Sequence, residues 1–405
     1  MMWCSSKPCR KPAWASSIKK FCACNIKIIS CQNNSASLRG ALFATKQSHS
    51  ETEIASQSAL AMTNHPLKIT TADTTKKTTM TNASQFHNDN IIIDGLNASN
   101  FFDPRIAGRL HSGGLTAVNA TFAAWHTPHE TINLIADMLL MLEQHSDKLM
   151  PARSVADIHK AKESNRVGFI IGFQGTDPLG DNLNMLRLYH ALGVRIIQLT
   201  YNFRNLVGCG CQEKEDTGLS EFGKQVVAEM NRLGMLIDLS HCGVRTTQEA
   251  IELSQQPVAF THANPFALVP MARNKSDEAL KAVAAKGGVV GAVIFAPMLT
   301  GSPNASVDDY VKVIDYLVNL IGIDHVGLGP DFMEEMTKEV AMQALKGLPP
   351  QTLQQFSTIP PTQKFESISA CANVTEALLK RGYSEQDTAK IMGGNWLRLY
   401  KEVWK

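Results

Sequence analysis

The chain has 405 residues, a formal net charge of +2 and 44% apolar residues, the make-up of an ordinary globular protein. So small a charge leaves no electrostatic footprint for nucleic acid or for a membrane surface. No window approaches the unbroken apolar length that a membrane span needs.

The first stretch, 1–88, is rich in Ser, Thr, Lys and Asn and has no acidic residue before Glu51. It lacks periodicity and a continuous apolar run. A basic, Ser-rich, acid-poor pattern describes an organellar transit peptide. The reading preferred here is a start codon placed too early, with Met62 or Met80 as the true start. Either way 1–88 is expected to be disordered, leaving 89–405 as a single domain. Cys4, Cys9, Cys22, Cys24 and Cys31 lie in that stretch, and Cys209, Cys211, Cys242 and Cys371 are scattered through the body. Neither group resembles a secreted disulfide framework, so a reducing, cytoplasmic location is expected.

From Ile91 onward, short β-rich runs alternate with longer amphipathic stretches. The runs are IIID (91–94), LTAVNAT (115–121), VGFIIGF (167–173), VRIIQLTY (194–201), MLIDLS (235–240), PVAFTH (257–262), GGVVGAVIF (287–295) and HVGLGPDF (325–332). Helical spacing is clearest over 130–144, where Ile132, Ile135, Leu139, Leu140 and Leu142 form a stripe. Helices are predicted over 183–192, 219–233, 246–253, 276–285 and 307–320, and at the end over 370–380, 384–392 and 395–403. Eight strands with intervening helices predict an α/β fold, the (β/α)8 TIM barrel. An open eight-stranded sheet is the runner-up.

In such a barrel the site gathers at the C-terminal ends of the strands. Those ends bring Leu96 and Ala98, then Thr121 with Trp125 and His126, then Gln174, then Tyr201 and Asn202, then Ser240 and His241, then His262 and Asn264, then Phe295, and last Asp331. Two histidines and an aspartate on one rim fit a metal-dependent hydrolase. Imidazoles bind a divalent ion, the ion lowers the pKa of water, and a carboxylate manages its proton.

The segments MNRLGMLIDLSHCG (230–243), VAFTHANP (258–265), ARNKSD (272–277), HVGLGPDF (325–332) and GGNWLR (393–398) resemble the membrane (renal) dipeptidase family, peptidase family M19. The resemblance runs from about Ile91 to the end. It implies a zinc-dependent metallodipeptidase with two ions in a barrel. By resemblance, His241 and His262 are the histidines of the second metal and Asp331 is the catalytic aspartate. Arg273 is the arginine that grips the substrate carboxylate, a task its planar fork suits. A homodimer is also implied by resemblance only.

Three positions depart from the family pattern. The His-x-Asp pair of the first metal is Leu96 and Ala98, the bridging glutamate is Gln174, and Tyr201 stands where relatives often carry a histidine. The chain therefore reads as a divergent branch without the first metal's half-site. The expected centre is either a single zinc ion or none, with His241, His262 and Gln174 or Asp331 as ligands. Asp331 is expected to be catalytic, and Arg273, Asn274, Tyr201, Asn202 and Trp125 to contact substrate. The expected reaction is hydrolysis of a dipeptide or small amide by a metal-activated water, with no nucleic-acid or membrane partner. The alternative is an inactive barrel that binds a small carboxylated ligand through Arg273 and Asn274.

Other conspicuous residues carry blander expectations. Cys209 and Cys211 lack a second close pair and read as loop cysteines, and Cys242 as packing. Glu130 reads as a helix cap, and His325 as structural at the opposite rim. The glycines of GLG (327–329) have no phosphate-loop context. Arg204 and Asn205 are weak candidates for substrate contact.

Overall fold

The computed structural model describes residues 82–337 and 358–405, all within one compact unit, Lys77–Lys405. Its strands are β1 (Ile93–Asn97), β2 (Ala117–Ala123), β3 (Leu149–Pro151), β4 (Val167–Phe173), β5 (Val194–Gln198), β6 (Leu236–Asp238), β7 (Ala259–Phe260), β8 (Val289–Ala292) and β9 (Val326–Leu328). They pair in the order β1-β2-β4-β5-β6-β7-β8-β9, with β3 added to β4. Every pairing is parallel.

The path returns to its start. Asn97 and Phe332 form a parallel bridge. The Asp331 N–H donates to Leu96 O at 3.1 Å and the Ala98 N–H to Phe332 O at 2.8 Å. These bonds close eight strands into a (β/α)8 barrel and set the open-sheet alternative aside. A closed parallel barrel buries both faces of each strand, which is why β4 is apolar throughout and buried at every residue.

The ninth strand, β3, is a correction to the eight predicted runs. Three residues that end on proline are too short to show a period of two, and only its register against β4 defines it.

Helix boundaries follow capping chemistry. The helix predicted over 130–144 begins earlier, at Pro128, because Thr127 and Glu130 cap one another across its first turn. Pro104–Ser112 and Val155–Glu163 were not predicted. Each buries only two or three side chains, and their starts are fixed by Asp103 and by a Ser154–Asp157 capping box. A further short helix, Ala296–Thr300, follows β8.

The domain boundary also differs from expectation. Helix Ala83–Asp89 begins inside the stretch predicted to be disordered and runs one residue past it, and Phe86 and His87 are buried. The His87 ring bridges Thr375 Oγ1 (2.7 Å) and Gly113 O (2.9 Å), so this helix is built into the domain. The rest of that stretch, 1–81, lies outside the described residues. No helix among the described residues is long and apolar enough to cross a membrane.

The C-terminal helix Asn395–Val403 plugs the end where the strands begin. Trp396, Leu399, Tyr400 and Val403 pack with Ile93, Ala117, Leu236, Ala259 and Val289, which sit at or near the starts of their strands. The Trp396 indole N–H donates to Leu328 O at 2.8 Å. A Cβ at Gly327 would lie 2.5 Å from Trp396 Nε1, which accounts for GLG without a phosphate. Gly327→Ala is expected to cost about 2 kcal/mol through overpacking, read as a lower denaturant midpoint with an unchanged slope. With this end sealed, chemistry is left to the opposite rim.

Candidate active site

Two adjacent strands deliver the histidines. Beyond β6 the chain runs Leu239, Ser240, His241, and beyond β7 it runs Thr261, His262. A buried carboxylate, Asp238, ties the two turns together. It accepts from Ser240 N–H (2.9 Å), Ser240 Oγ (2.5 Å), Thr261 N–H (3.1 Å) and Thr261 Oγ1 (2.6 Å). The outcome is that His241 Nε2 and His262 Nε2 face each other at 2.9 Å.

The hydrogen bonds assign the ring protons. His241 Nδ1 lies 2.7 Å from Asn202 Oδ1, a pure acceptor. His262 Nδ1 lies 2.7 Å from Thr261 Oγ1. The one hydroxyl proton of Thr261 is directed to Asp238, so Oγ1 accepts from the ring. Both imidazoles then carry hydrogen on Nδ1, and two Nε2 lone pairs meet across 2.9 Å. Such a pair needs a proton or a cation between it. Burial first, then the charge of Arg273, holds both histidines well below the ordinary imidazole pKa. A proton is thereby disfavoured, which leaves two nitrogen lone pairs of the kind that could hold a divalent ion.

Nothing comparable stands at the first strand. Leu96 is buried and cannot coordinate. Gln174 points its amide N–H at Thr121 Oγ1 (3.1 Å). Among the described residues no group of three or more His, Cys, Asp and Glu converges as a metal site. The residues present fit one ion between two imidazoles and do not fit a two-ion centre.

The remaining predicted residues fall around this pair. Asp331 follows β9 with φ of 64°, and Asn202 follows β5 with φ of 61°. This left-handed backbone is tolerated by Asp and Asn more than by other L residues. Burial of the Asp331 carboxyl pushes its pKa up to about 7, with Arg273 opposing and Asp238 adding. The Arg273 guanidinium is buried, donating to Ser240 O and, at 2.8 Å, to His262 O. Tyr201 stacks on His241 with centroids 4.3 Å apart, and Trp125 stands edge-on to Tyr201 at 5.4 Å.

Asn274 spends its amide N–H groups on Val269 O (2.9 Å) and Met298 O (3.1 Å), so it braces the loop that carries Arg273. Asn205 likewise donates to Leu199 O (2.9 Å) and accepts from Val207 N–H (2.9 Å). Arg204 is held on Glu213 and Glu215. Cys209, Cys211, Cys242 and Cys371 are free thiols. His325 binds Gly288 O at 2.8 Å, beneath the barrel.

Sequence reasoning passed over Asp238, Thr261 and Lys275. A carboxylate inside the apolar run MLIDLS was a usable signal, since a buried acid needs donors. Lys275 gave none. Its ammonium donates to Cys242 O (2.7 Å) and sits 5.1 Å from the Phe260 ring centre, and burial lowers its pKa to about 8.

Comparison with known proteins adds an independent line. The family model described as Membrane dipeptidase (Peptidase family M19) matches residues 54–346. The chain is 32% identical to "Dipeptidase tcpJ" of Claviceps purpurea over 278 residues, which is 68% of this chain and 60% of that protein. The chain thus spans less than two thirds of that relative's length. Among solved structures, an amidohydrolase from Pseudomonas aeruginosa is 38% identical with a TM-score of 0.76, covering 80% of this chain and 99% of that one. A metallo peptidase from Rhodobacter sphaeroides, liganded with a phosphinate mimic of the dipeptide L-Ala-D-Ala, has a TM-score of 0.65 at 22% identity, covering 78% of this chain and 100% of that one. That last likeness concerns the fold alone.

Proposed function

The chain belongs to the membrane dipeptidase family, peptidase family M19, and from that premise we propose that it hydrolyses a dipeptide or small amide at a site built for one metal ion. The observation that carries this reading is the pair of Nε2 lone pairs 2.9 Å apart, with Nδ1 of each ring held by an acceptor.

A divalent ion, zinc in the first instance, would be held by His241 and His262 and would supply Lewis-acid activation of water and of the amide carbonyl. Asp331 takes the proton of the attacking water and passes it to the departing nitrogen. A carboxyl with a pKa near 7 serves both tasks at neutral pH. Arg273 places positive charge beside both histidines and is the counter-charge for a substrate carboxylate. Asn202 orients His241, as Thr261 orients His262. Tyr201 and Trp125 form an aromatic wall over the His241 ring. Asn274 fixes the Arg273 loop. Gln174 serves as a cavity wall in this reading, and a ligand role for it is carried only as the third-donor option.

A cytoplasmic setting is carried from the cysteine spacing in the sequence, and a homodimer from the family resemblance. A second reading, a barrel that binds a carboxylated ligand without turnover, draws on one observation: no third His, Cys, Asp or Glu joins the pair among the described residues.

The test is amide hydrolysis by the full chain, with and without a chelator. Turnover that chelation stops and zinc restores supports the proposal. Ligand binding that chelation leaves untouched, with no turnover, supports the second reading instead.

The Asp331 pKa fixes a pH profile. The carboxylate acts as base only when ionised, so kcat/KM should rise with pH through about 7 and level off above it. A profile already flat below pH 6 contradicts the assignment.

A further inference from the structure

A cavity of about 170 Å³ lies on the Tyr201 side of the site, with none of His241, His262 and Asp331 in its lining. Its walls include Phe101, Phe122, Leu134, Met138 and Met336, together with the aromatic pair Trp125 and Tyr201. Ala98 and Gln174, the positions where the family pattern would put metal ligands, also line it. It is joined to the site on two sides. Tyr201 stacks on His241 at 4.3 Å, and the Ala98 N–H is bonded to Phe332, the residue after Asp331. An apolar cavity of about 150 Å³ is enough to hold benzene, so this one takes a phenyl or branched alkyl group.

Its electrostatics narrow the ligand further. None of the described residues lining it is Asp, Glu, Lys or Arg. The one imidazole, His126, is held below its ordinary pKa by burial and so is neutral at pH 7. A free dipeptide carries an α-ammonium next to its first side chain. Placing that charge here without a counter-ion is strongly unfavourable.

We propose that this cavity binds the acyl part of an N-acyl amino acid whose acyl group is aromatic or branched and lacks an α-ammonium. The proposal rests on the hydrolase reading above and names its substrate class. In the reaction, the oxygen of water ends on the acyl carbon as the C–N bond breaks. One water proton goes to the departing nitrogen, and the products are a carboxylic acid and a free amino acid.

The test compares 3-phenylpropanoyl-glycine with Phe-Gly, which differ only by the α-amino group, and with acetyl-glycine, which lacks the phenyl group. Binding to the zinc-equilibrated full chain is measured by calorimetry at pH 7, with turnover followed in parallel. The expected result is that 3-phenylpropanoyl-glycine binds at least about ten-fold tighter than either of the others. Equal or tighter binding of Phe-Gly overturns the assignment, as does failure of all three ligands to bind. Selective binding without turnover counts against the hydrolase reading and leaves the cavity assignment standing, whereas turnover that prefers Phe-Gly does the reverse.

Discussion

His262→Ala is expected to lower amide hydrolysis by more than about 100-fold, beyond what the loss of a mere supporting partner of a metal ligand costs. The side chain is fully buried and presents one of the two facing imidazole nitrogens among the described residues. Without it the ion would keep a single protein nitrogen. His241→Ala should behave alike, because the two rings meet symmetrically at 2.9 Å. Thr261→Val is the graded control. It removes the hydroxyl between Asp238 and His262 and leaves both ligands in place, so a loss of about 10–100-fold is expected. Steady-state kinetics at saturating zinc, with circular dichroism to verify folding, checks all three. A His262→Ala protein with more than a tenth of wild-type activity contradicts the role given to the pair.

The second large effect is at Asp331. Asp331→Asn should lower kcat by about 100- to 10,000-fold, the usual contribution of a positioned acid or base, while metal content stays at the wild-type level. Asparagine suits this test. It is isosteric, and like aspartate it accepts the left-handed backbone found here, φ of 64°. The loss therefore reads proton transfer rather than strain. The acid limb near pH 7 should vanish from whatever activity is left, because the group that titrates there is gone. Loss of metal together with activity would instead make Asp331 a ligand.

Much of this was legible before any coordinates. Parallel strands buried on both faces are written as continuous apolar runs, so β4 and β8 stood out plainly. The barrel followed from their alternation with helical segments. Three-residue β3 was not legible, because only its pairing defines it. The helices Pro104–Ser112 and Val155–Glu163 were legible in principle, since Ile106, Ala107 and Leu110 stand at helical spacing and Asp103 and the Ser154–Asp157 box are cap signals, but both are short. Helix Ala83–Asp89 was lost for a different reason, since its polar neighbours on the N-terminal side masked a seven-residue segment with two buried side chains.

At the site, position along the chain was enough to bring His241, His262 and Asp331 to one rim, because strand ends converge in a barrel. The protonation pattern was not readable. It rests on which oxygen faces each ring nitrogen, and Thr261 and Asn202 supply those oxygens from different strand ends. Asn202 and Asn274 look alike in sequence as rim amides, yet one orients an imidazole and the other braces a loop. The apolar cavity was foreshadowed at Leu96 and Ala98 only as a loss. That the space is walled by aromatic and sulfur side chains is visible only once β2 and the helix Pro128–Gln144 are in place.

The proposed chemistry requires the histidine pair to hold one divalent ion. Elemental analysis of the full chain, equilibrated with excess zinc and then freed of unbound metal, measures this directly. One equivalent per chain is expected, falling below a tenth in the His241→Ala/His262→Ala double variant. Two equivalents in the wild type, or none, would contradict it.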